Sequence, residues 1–175
     1  MIRYIGIDPG SKGAIAIIFE DGDVVIDDLS NDYITYERIL ESYREPLHHT
    51  IVGVEDVRGR PGQSCVANTT FMKLAGMAEL VGWSISTDAF QKVPPQTWKK
   101  YFNLTGSKGE TKTEKKHRSI ELAKKLFPSV ADQLTASKDG RAEALLIAEY
   151  VRQHYEKTED NTKRSKSCKL VSNVD

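Results

Sequence analysis

The chain has 175 residues, of which 39% are apolar and 29% are charged, as is typical of one globular domain with a sizeable core. No apolar run approaches the roughly 20 residues of a membrane span, and the N-terminus lacks the pattern of a secretory signal. Cys65 and Cys168 are too far apart in sequence to indicate a disulfide framework or a zinc site. We therefore expect a cytoplasmic protein that does not associate with a membrane.

A formal net charge of zero conceals an uneven distribution. Residues 1–57 contain 4 Lys/Arg and 12 Asp/Glu, whereas residues 92–126 contain 10 Lys/Arg and 3 Asp/Glu. This asymmetry suggests a polarised surface, one part of which can bind phosphates. Two solvated faces of opposite sign explain the same counts equally well, so charge alone leaves both interpretations open.

The first part of the chain predicts an antiparallel meander of three strands. Apolar and β-branched runs over 2–7, 13–19 and 24–27 have the length and composition of strands. The residues between them, 9–11 and 20–23, are rich in Pro, Gly and Asp, which favour turns.

Helices and strands then alternate. Asn31 or Asp32 can cap a helix that Pro46 stops. A buried strand over 50–54 ends at Glu55, and we expect it to be parallel to its neighbour because a helix precedes it. The next two predicted elements are a helix over 66–81 and a last short strand over 83–87.

The remainder of the chain is predicted to be helical. A proline pair opens a short helix over 95–102, and residues 111–114 have the form of a capping box at the start of the next helix. The final helix is predicted over 139–155. Residues 157–175 are polar with little to bury, which predicts a disordered tail after one domain of residues 1–156. The order of elements is that of a mixed α/β domain.

Four carboxylates occupy positions that could converge. Asp8 ends the first strand and Glu55 ends the fourth, so they project at one sheet edge if the two strands are neighbours. Asp139 and Glu143 are four residues apart on a helix and share one face. Oxygen ligands without nearby His or Cys suit Mg²⁺ or Mn²⁺. Two such ions about 4 Å apart can activate a water and stabilise a leaving 3′ oxygen, which is the chemistry of phosphodiester hydrolysis.

Each acid also has a purely structural explanation. Asp8 is suited to a turn, Glu55 to a solvated strand end, Asp139 to a helix N-cap, and Glu143 to a first helical turn. Any one of them alone favours that explanation. The spacing of all four along a mixed sheet favours a metal site instead.

The same residues resemble a known family. Residues 5–10 followed by 13–16 are similar to the opening of RuvC-type Holliday junction resolvases, and Val54-Glu55 resembles their second acidic motif. Residues 138–148 resemble their final helix in the form that phage members use. The motifs occur in the family's order over most of residues 1–155, although the first motif alone is also found in actin-like kinases and heat-shock ATPases.

The resemblance implies an RNase H-like fold, with a mixed five-stranded sheet flanked by helices. It also implies a Mg²⁺-dependent endonuclease that acts as a homodimer on four-way DNA junctions, in the host cytoplasm if a phage encodes it. The implied metal ligands are Asp8, Glu55 and Asp139 or Glu143, with two Mg²⁺ ions per site that Mn²⁺ can replace. Bacterial members place two Asp three residues apart before the Ala-Leu run. Because the spacing here is four, the tighter ligand of the helical pair stays open.

A basic stretch between the last strand and the final helix is predicted to bind DNA phosphates. It comprises Lys99, Lys100, Lys108, Lys112, Lys115, Lys116 and Arg118. Lys115 best matches one basic residue of the family, and Lys100 or Lys99 a second. We predict DNA contacts for Lys99, Lys100, Lys112 and Lys115. A solvated helix face is the less favoured alternative, because the stretch contains few acids.

Two further predictions concern DNA and assembly. Arg58 and Arg60, in the polar loop after Glu55, could touch the strand near the cut, and an ordinary surface loop is an equal alternative. A homodimer interface is predicted on the helix 66–81, or that face covers the sheet instead. Its proposed apolar positions are Phe71, Leu74, Met77 and Ala78, with Gly76 allowing close approach.

Three alternatives to a junction resolvase remain. A less selective nuclease for flaps and other branched DNA would use the same two-metal site. An actin-like ATPase or kinase would need further nucleotide-binding motifs and usually a duplicated domain, for which 175 residues leave little room. A junction-binding protein with an inactive site is disfavoured by the four intact acids.

Overall fold

A mixed five-stranded sheet organises the domain in the computed structural model, which describes residues 1–44, 47–59, 62–106 and 109–171, without the side chains of Lys112 and of residues 159–171. The strands are β1 (Ile2–Asp8), β2 (Ala14–Phe19), β3 (Val24–Asp28), β4 (His49–Glu55) and β5 (Ala89–Val93). Their order across the sheet is β3-β2-β1-β4-β5. The first three strands pair antiparallel, whereas β4 pairs parallel with both β1 and β5. This topology confirms the predicted mixed five-stranded sheet, an antiparallel meander plus parallel strands.

The described part of the chain contains five α-helices and two short 3-10 helices between the last two of them. The α-helices are α1 (Tyr33–Tyr43), α2 (Cys65–Ile85), α3 (Pro95–Tyr101), α4 (Lys112–Leu126) and α5 (Asp139–Val171). Asp32 caps α1 by accepting from Thr35 N, and Thr111 and Glu114 form the predicted capping box of α4. None of the helices in the described part of the chain is long and apolar enough to span a membrane.

The two faces of the sheet are covered by different helices. Alternate strand residues such as Tyr4 and Ile18 pack in the core beneath α5, whereas Ile5 and Ile17 pack in the core with α1 and α2. Full burial of each such aliphatic side chain stabilises the fold by roughly 1.5–3 kcal/mol. α5 lies directly on β1, because a Cβ on Gly6 would be 2.1 Å from the carbonyl oxygen of Ala144. Glycine is therefore required for this contact.

The predicted strand over 83–87 is wrong. α2 continues to Ile85, and the edge strand β5 starts only at Ala89. Val81, Gly82 and Ile85 are buried at helical spacing, whereas the side chain of Trp83 is 65% exposed. The alternation of apolar and polar residues after Trp83 imitates a strand, but burial follows the helical period.

The final helix also differs from its predicted end near residue 155. α5 continues through residues 157–171, the greater part of the segment predicted to be a disordered tail. A helix that is already nucleated adds one hydrogen bond for each residue fixed, and Lys, Glu and Arg favour helix without any apolar contact. The domain boundary at residue 156 stays a prediction.

Candidate metal centre

Two of the four candidate acids are placed by strand register. Because Ile7 pairs with Val54 in the parallel ladder, Asp8 and Glu55 end adjacent strands at the same sheet edge. Glu55 is buried, and its Oε1 accepts a hydrogen bond of 3.0 Å from the indole Nε1 of Trp98. Trp98 is itself fully buried, so this bond orients one oxygen of Glu55 from inside the core.

The other two acids are placed by the docking of α5. A Cβ on Gly140 would be 2.1 Å from the carbonyl oxygen of Lys12 and 2.9 Å from Oδ2 of Asp8, so only glycine allows this approach. Arg141 binds both carboxylate oxygens of Asp28 at the end of β3, and Nζ of Lys138 lies 2.7 Å from Asp28 Oδ2. The first turn of α5 is thus anchored on both β1 and β3.

Three of the four carboxylates converge. One oxygen each from Asp8, Glu55 and Glu143 lie within 4.8 Å of one another. Asp139 is outside this trio in the described part of the chain; its Oδ2 is paired with Nζ of Lys116. The trio contains oxygen donors and neither His nor Cys, which fits the ligand preference of Mg²⁺ or Mn²⁺ and disfavours zinc.

The electrostatics of the trio also fit a bound cation. Burial raises the pKa of Asp8 well above its ordinary value of 3.8, and the neighbouring charges of Glu55 and Glu143 raise it further. Lys99 acts in the opposite direction. Three carboxylates at this distance repel one another, so ionisation of all three requires compensating positive charge.

An open cleft of about 900 Å³ leads to these carboxylates. All four candidate acids line it, together with the β1–β2 turn and the N-terminal part of α2. Its cationic lining consists of Lys12, Arg58, Lys99 and Lys116.

The residues predicted to bind DNA are distributed unevenly around this cleft. Lys99 and Arg58 line it, whereas Lys100 and Lys115 are exposed and outside its lining. The Lys99 Nζ lies 3.4 Å from Glu143 Oε1, and the Arg58 side chain is 88% exposed. Arg60 and Lys108 lie outside the described residues, and for Lys112 only the backbone at the start of α4 is described.

Sequence reasoning did not assign two residues of this site. Trp98 packs in the core and donates a hydrogen bond to Glu55, a contact that the sequence did not predict. Lys116 was grouped with the basic stretch and given no role of its own. Ser119, Ile120 and Ala123 are buried on α4, and helical spacing from Ile120 and Ala123 places Lys116 on the same side. That periodicity is the signal that could have identified it.

The predicted dimer face on α2 requires a correction. Leu74 and Ala78 are buried against the sheet, and Met77 packs partly against the same core. The alternative, that this face covers the sheet, therefore holds for these residues. Phe71 lines the cleft, and Gly76 is exposed; among the described residues beyond its own stretch of helix backbone, no heavy atom lies within 4 Å of where its Cβ would be.

Comparisons with known proteins give a structural match. No family model matches the chain, and no curated protein matches it. The solved structure of RuvC from Thermus thermophilus matches with a TM-score of 0.47 and 16% sequence identity, covering 83% of this chain and 90% of that chain. The alignment thus extends over most of both proteins.

Proposed function

We propose that this protein is a metal-dependent endonuclease that resolves four-way DNA junctions by paired phosphodiester hydrolysis. The observation that carries the proposal is the trio of Asp8, Glu55 and Glu143, whose oxygens lie within 4.8 Å of one another in a cleft with basic side chains. A carboxylate trio binds hard cations, and lysines on the cleft wall bind phosphates.

The trio would hold the cation, and Asp139 would be a further ligand. When bound, Mg²⁺ or Mn²⁺, as two ions per site, supplies a water of lowered pKa and neutralises charge at the scissile phosphate. Trp98 keeps one oxygen of Glu55 fixed through its indole N–H. We assign Glu143 as the tighter ligand of the helical pair, because it belongs to the trio and Asp139 does not.

The basic residues would bind the DNA backbone at two distances from the cut. Lys99, Lys116 and Arg58 line the cleft and would contact phosphates next to the scissile bond. Lys100 and Lys115 lie outside the cleft lining on α3 and α4, the helices that also bear Lys99 and Lys116, and would contact flanking phosphates. Such contacts position the duplex but contain no sequence information.

A homodimer would supply the second of two symmetric nicks. A C₂ pair places two metal sites about the same kind of axis that relates the arms of a four-way junction. Exposed Met72, Leu80 and Trp83 surround the open backbone of Gly76 on the outer side of α2. This stripe replaces the buried residues as the proposed contact with a second copy.

The test is a comparison of three labelled substrates with Mg²⁺: a four-way junction, a linear duplex and a flap. We expect symmetric paired nicks in the junction and little cutting of the duplex. Preferential single cuts in the flap would instead support the less selective branched-DNA nuclease. Equal cutting of all three would contradict both assignments.

A further inference from the structure

Two lysines hold the helical acids of the site. Nζ of Lys116 is paired with Oδ2 of Asp139, and Nζ of Lys99 lies 3.4 Å from Oε1 of Glu143. Lys99 also lies over the ring of Trp98, 4.7 Å from its centroid, next to the indole that binds Glu55. Each lysine therefore occupies the space beside a carboxylate that we assign to the metal.

The sequence neighbours of these lysines are placed differently. Lys100 and Lys115 are exposed and do not line the cleft. The Lys115 side chain lies over the loop before α4, since a Cβ on Gly106 would be 2.2 Å from its Cε. In each sequence pair, Lys99-Lys100 and Lys115-Lys116, one lysine thus faces the acids and the other does not.

An ammonium group and a divalent cation compete for the same carboxylate oxygens. Both favour ionised carboxylates, but a metal ion occupies the lone pairs that a lysine would use. The side chains of Lys99 and Lys116 are 32% and 52% exposed, so each has solvent-accessible space into which its flexible stem can turn. The DNA phosphate bound in the cleft would then be the nearest anion available to the released ammonium.

We propose that Lys99 and Lys116 are internal counter-cations that hold Glu143 and Asp139 in the metal-free protein and transfer to DNA phosphates when metal binds. The inference rests on the proposed function and extends it to the coupling between metal and DNA. By linkage, a metal that releases these lysines increases DNA affinity, and DNA increases metal affinity by the same factor.

The first test measures metal binding without DNA. Mn²⁺ is titrated into the full chain, and the free ion is followed by electron paramagnetic resonance. Lys116→Met and Lys99→Met retain the aliphatic stem and are expected to bind Mn²⁺ about tenfold more tightly, because no charge-assisted contact must be broken. Lys115→Met and Lys100→Met are matched controls from the adjacent positions, and we expect them to match the wild type.

The second test measures the coupling. Binding of a fluorescent four-way junction is compared in Ca²⁺ and in EDTA, with a gel to verify that the junction stays intact. In the wild type, Ca²⁺ should increase the affinity for the junction. In Lys116→Met we expect this increase to be smaller, by the same factor by which the substitution tightens Mn²⁺ binding in the first test. Lys115→Met should lose affinity by an equal factor in both conditions, since a flanking phosphate contact does not depend on metal.

The outcomes separate this inference from the function on which it rests. If the wild type binds Mn²⁺ but Lys116→Met and Lys99→Met bind it equally or more weakly, the counter-cation role is overturned while the metal centre stands. If the wild type binds no Mn²⁺, the metal centre and the inference both fail. Substrate selectivity does not enter either measurement, so a flap preference would leave the inference intact.

Discussion

The strand-borne acids and the helix-borne acids of this site are positioned by different means. Asp8 and Glu55 are placed by the pairing of β1 with β4, and the register of that pairing is set by the apolar side chains that both strands bury. Asp139 and Glu143 depend on how α5 docks, which requires the close contact at Gly140 and the binding of Arg141 to Asp28. A substitution that breaks either the contact at Gly140 or the pair between Arg141 and Asp28 should move both helical acids together.

Because they are positioned differently, the strand acids and the helix acids should respond differently to substitutions elsewhere in the chain. A single side-chain change elsewhere should move the strand acids little, because a slip of register would displace all the buried side chains of β1 or β4 at once. The helix acids should shift together when the anchors of α5 are lost, because both lie at the start of this helix beside Gly140 and Arg141. Substitutions at the two kinds of position should therefore have different secondary effects on metal binding.

The largest expected effect comes from the strand acids. Asp8→Asn and Glu55→Gln should each abolish junction cleavage, because each replaces a charged carboxylate that we assign to the metal with a neutral amide. Junction binding should persist, since phosphate contacts are made by other residues. Cleavage by gel assay and binding by anisotropy check both statements. Near-normal cleavage by either variant would remove the assignment of this metal centre.

The helix acids are expected to be unequal. Glu143→Gln should reduce cleavage further than Asp139→Asn, by about tenfold, which corresponds to ~1.4 kcal/mol or one charge-assisted contact. The reason is that Glu143 belongs to the carboxylate trio, whereas Asp139 is paired with Lys116. Single-turnover rates at saturating Mg²⁺ measure the ratio. The reverse order would make Asp139 the more important of the two acids for cleavage.

The sequence predicted the positions of the strand acids better than the relative roles of the helix acids. The run from Ile2 to Asp8 and the run ending at Glu55 have local signals, and their parallel pairing follows from the helix between them. The helical spacing placed Asp139 and Glu143 on one face but could not rank them, because the rank depends on Lys116 from another element. The periodicity of α4 places Lys116 on the inward side of its helix, but a single sequence does not show which carboxylate Lys116 contacts.

Prediction of the fold was also limited where tertiary contacts decide the structure. The succession of strands and helices along the chain was largely predictable, because apolar runs, turn residues and helix caps each have a local cause. The edge strand β5 was misplaced, since Trp83 to Thr87 alternates like a strand while Ile85 is buried by the last turn of α2. The residue at which a buried helix ends depends on the tertiary contacts of its last turn.

A smaller effect is expected from the anchor of α5. Arg141→Met removes the guanidinium that binds both oxygens of Asp28, and should weaken Mn²⁺ binding about tenfold, as for other residues that orient metal ligands. Arg152→Met is the matched control, because Arg152 makes a similar two-point pair with Glu149 on the same helix, away from the site.

Metal affinity and thermal stability together identify the role of Arg141. Both variants lose an ion pair, so both should lower Tm, whereas only Arg141→Met should alter the metal affinity. Equal metal affinities would show that the pair with Asp28 stabilises the fold without positioning Glu143. In that case the docking of α5 would depend on Gly140 and the core alone.

The smallest expected effect is on the stability of the metal-free protein. The pKa of Asp8 lies above 3.8 in the folded state because of burial and of Glu55 and Glu143, so the folded chain binds the proton more tightly than the unfolded chain. Stability in EDTA should therefore fall as pH rises from about 4 through the raised pKa of Asp8.

Asp8→Asn should remove that loss of stability and raise Tm at pH 8 by about 2–4 °C, the shift that ~1 kcal/mol gives for a domain of this size. Exposed Asp132→Asn is the control. Scanning fluorimetry at pH 4 and pH 8 should show a benefit of Asp8→Asn that grows with pH. A benefit independent of pH would mean that the asparagine stabilises by packing, and that the strand acids are held without electrostatic strain.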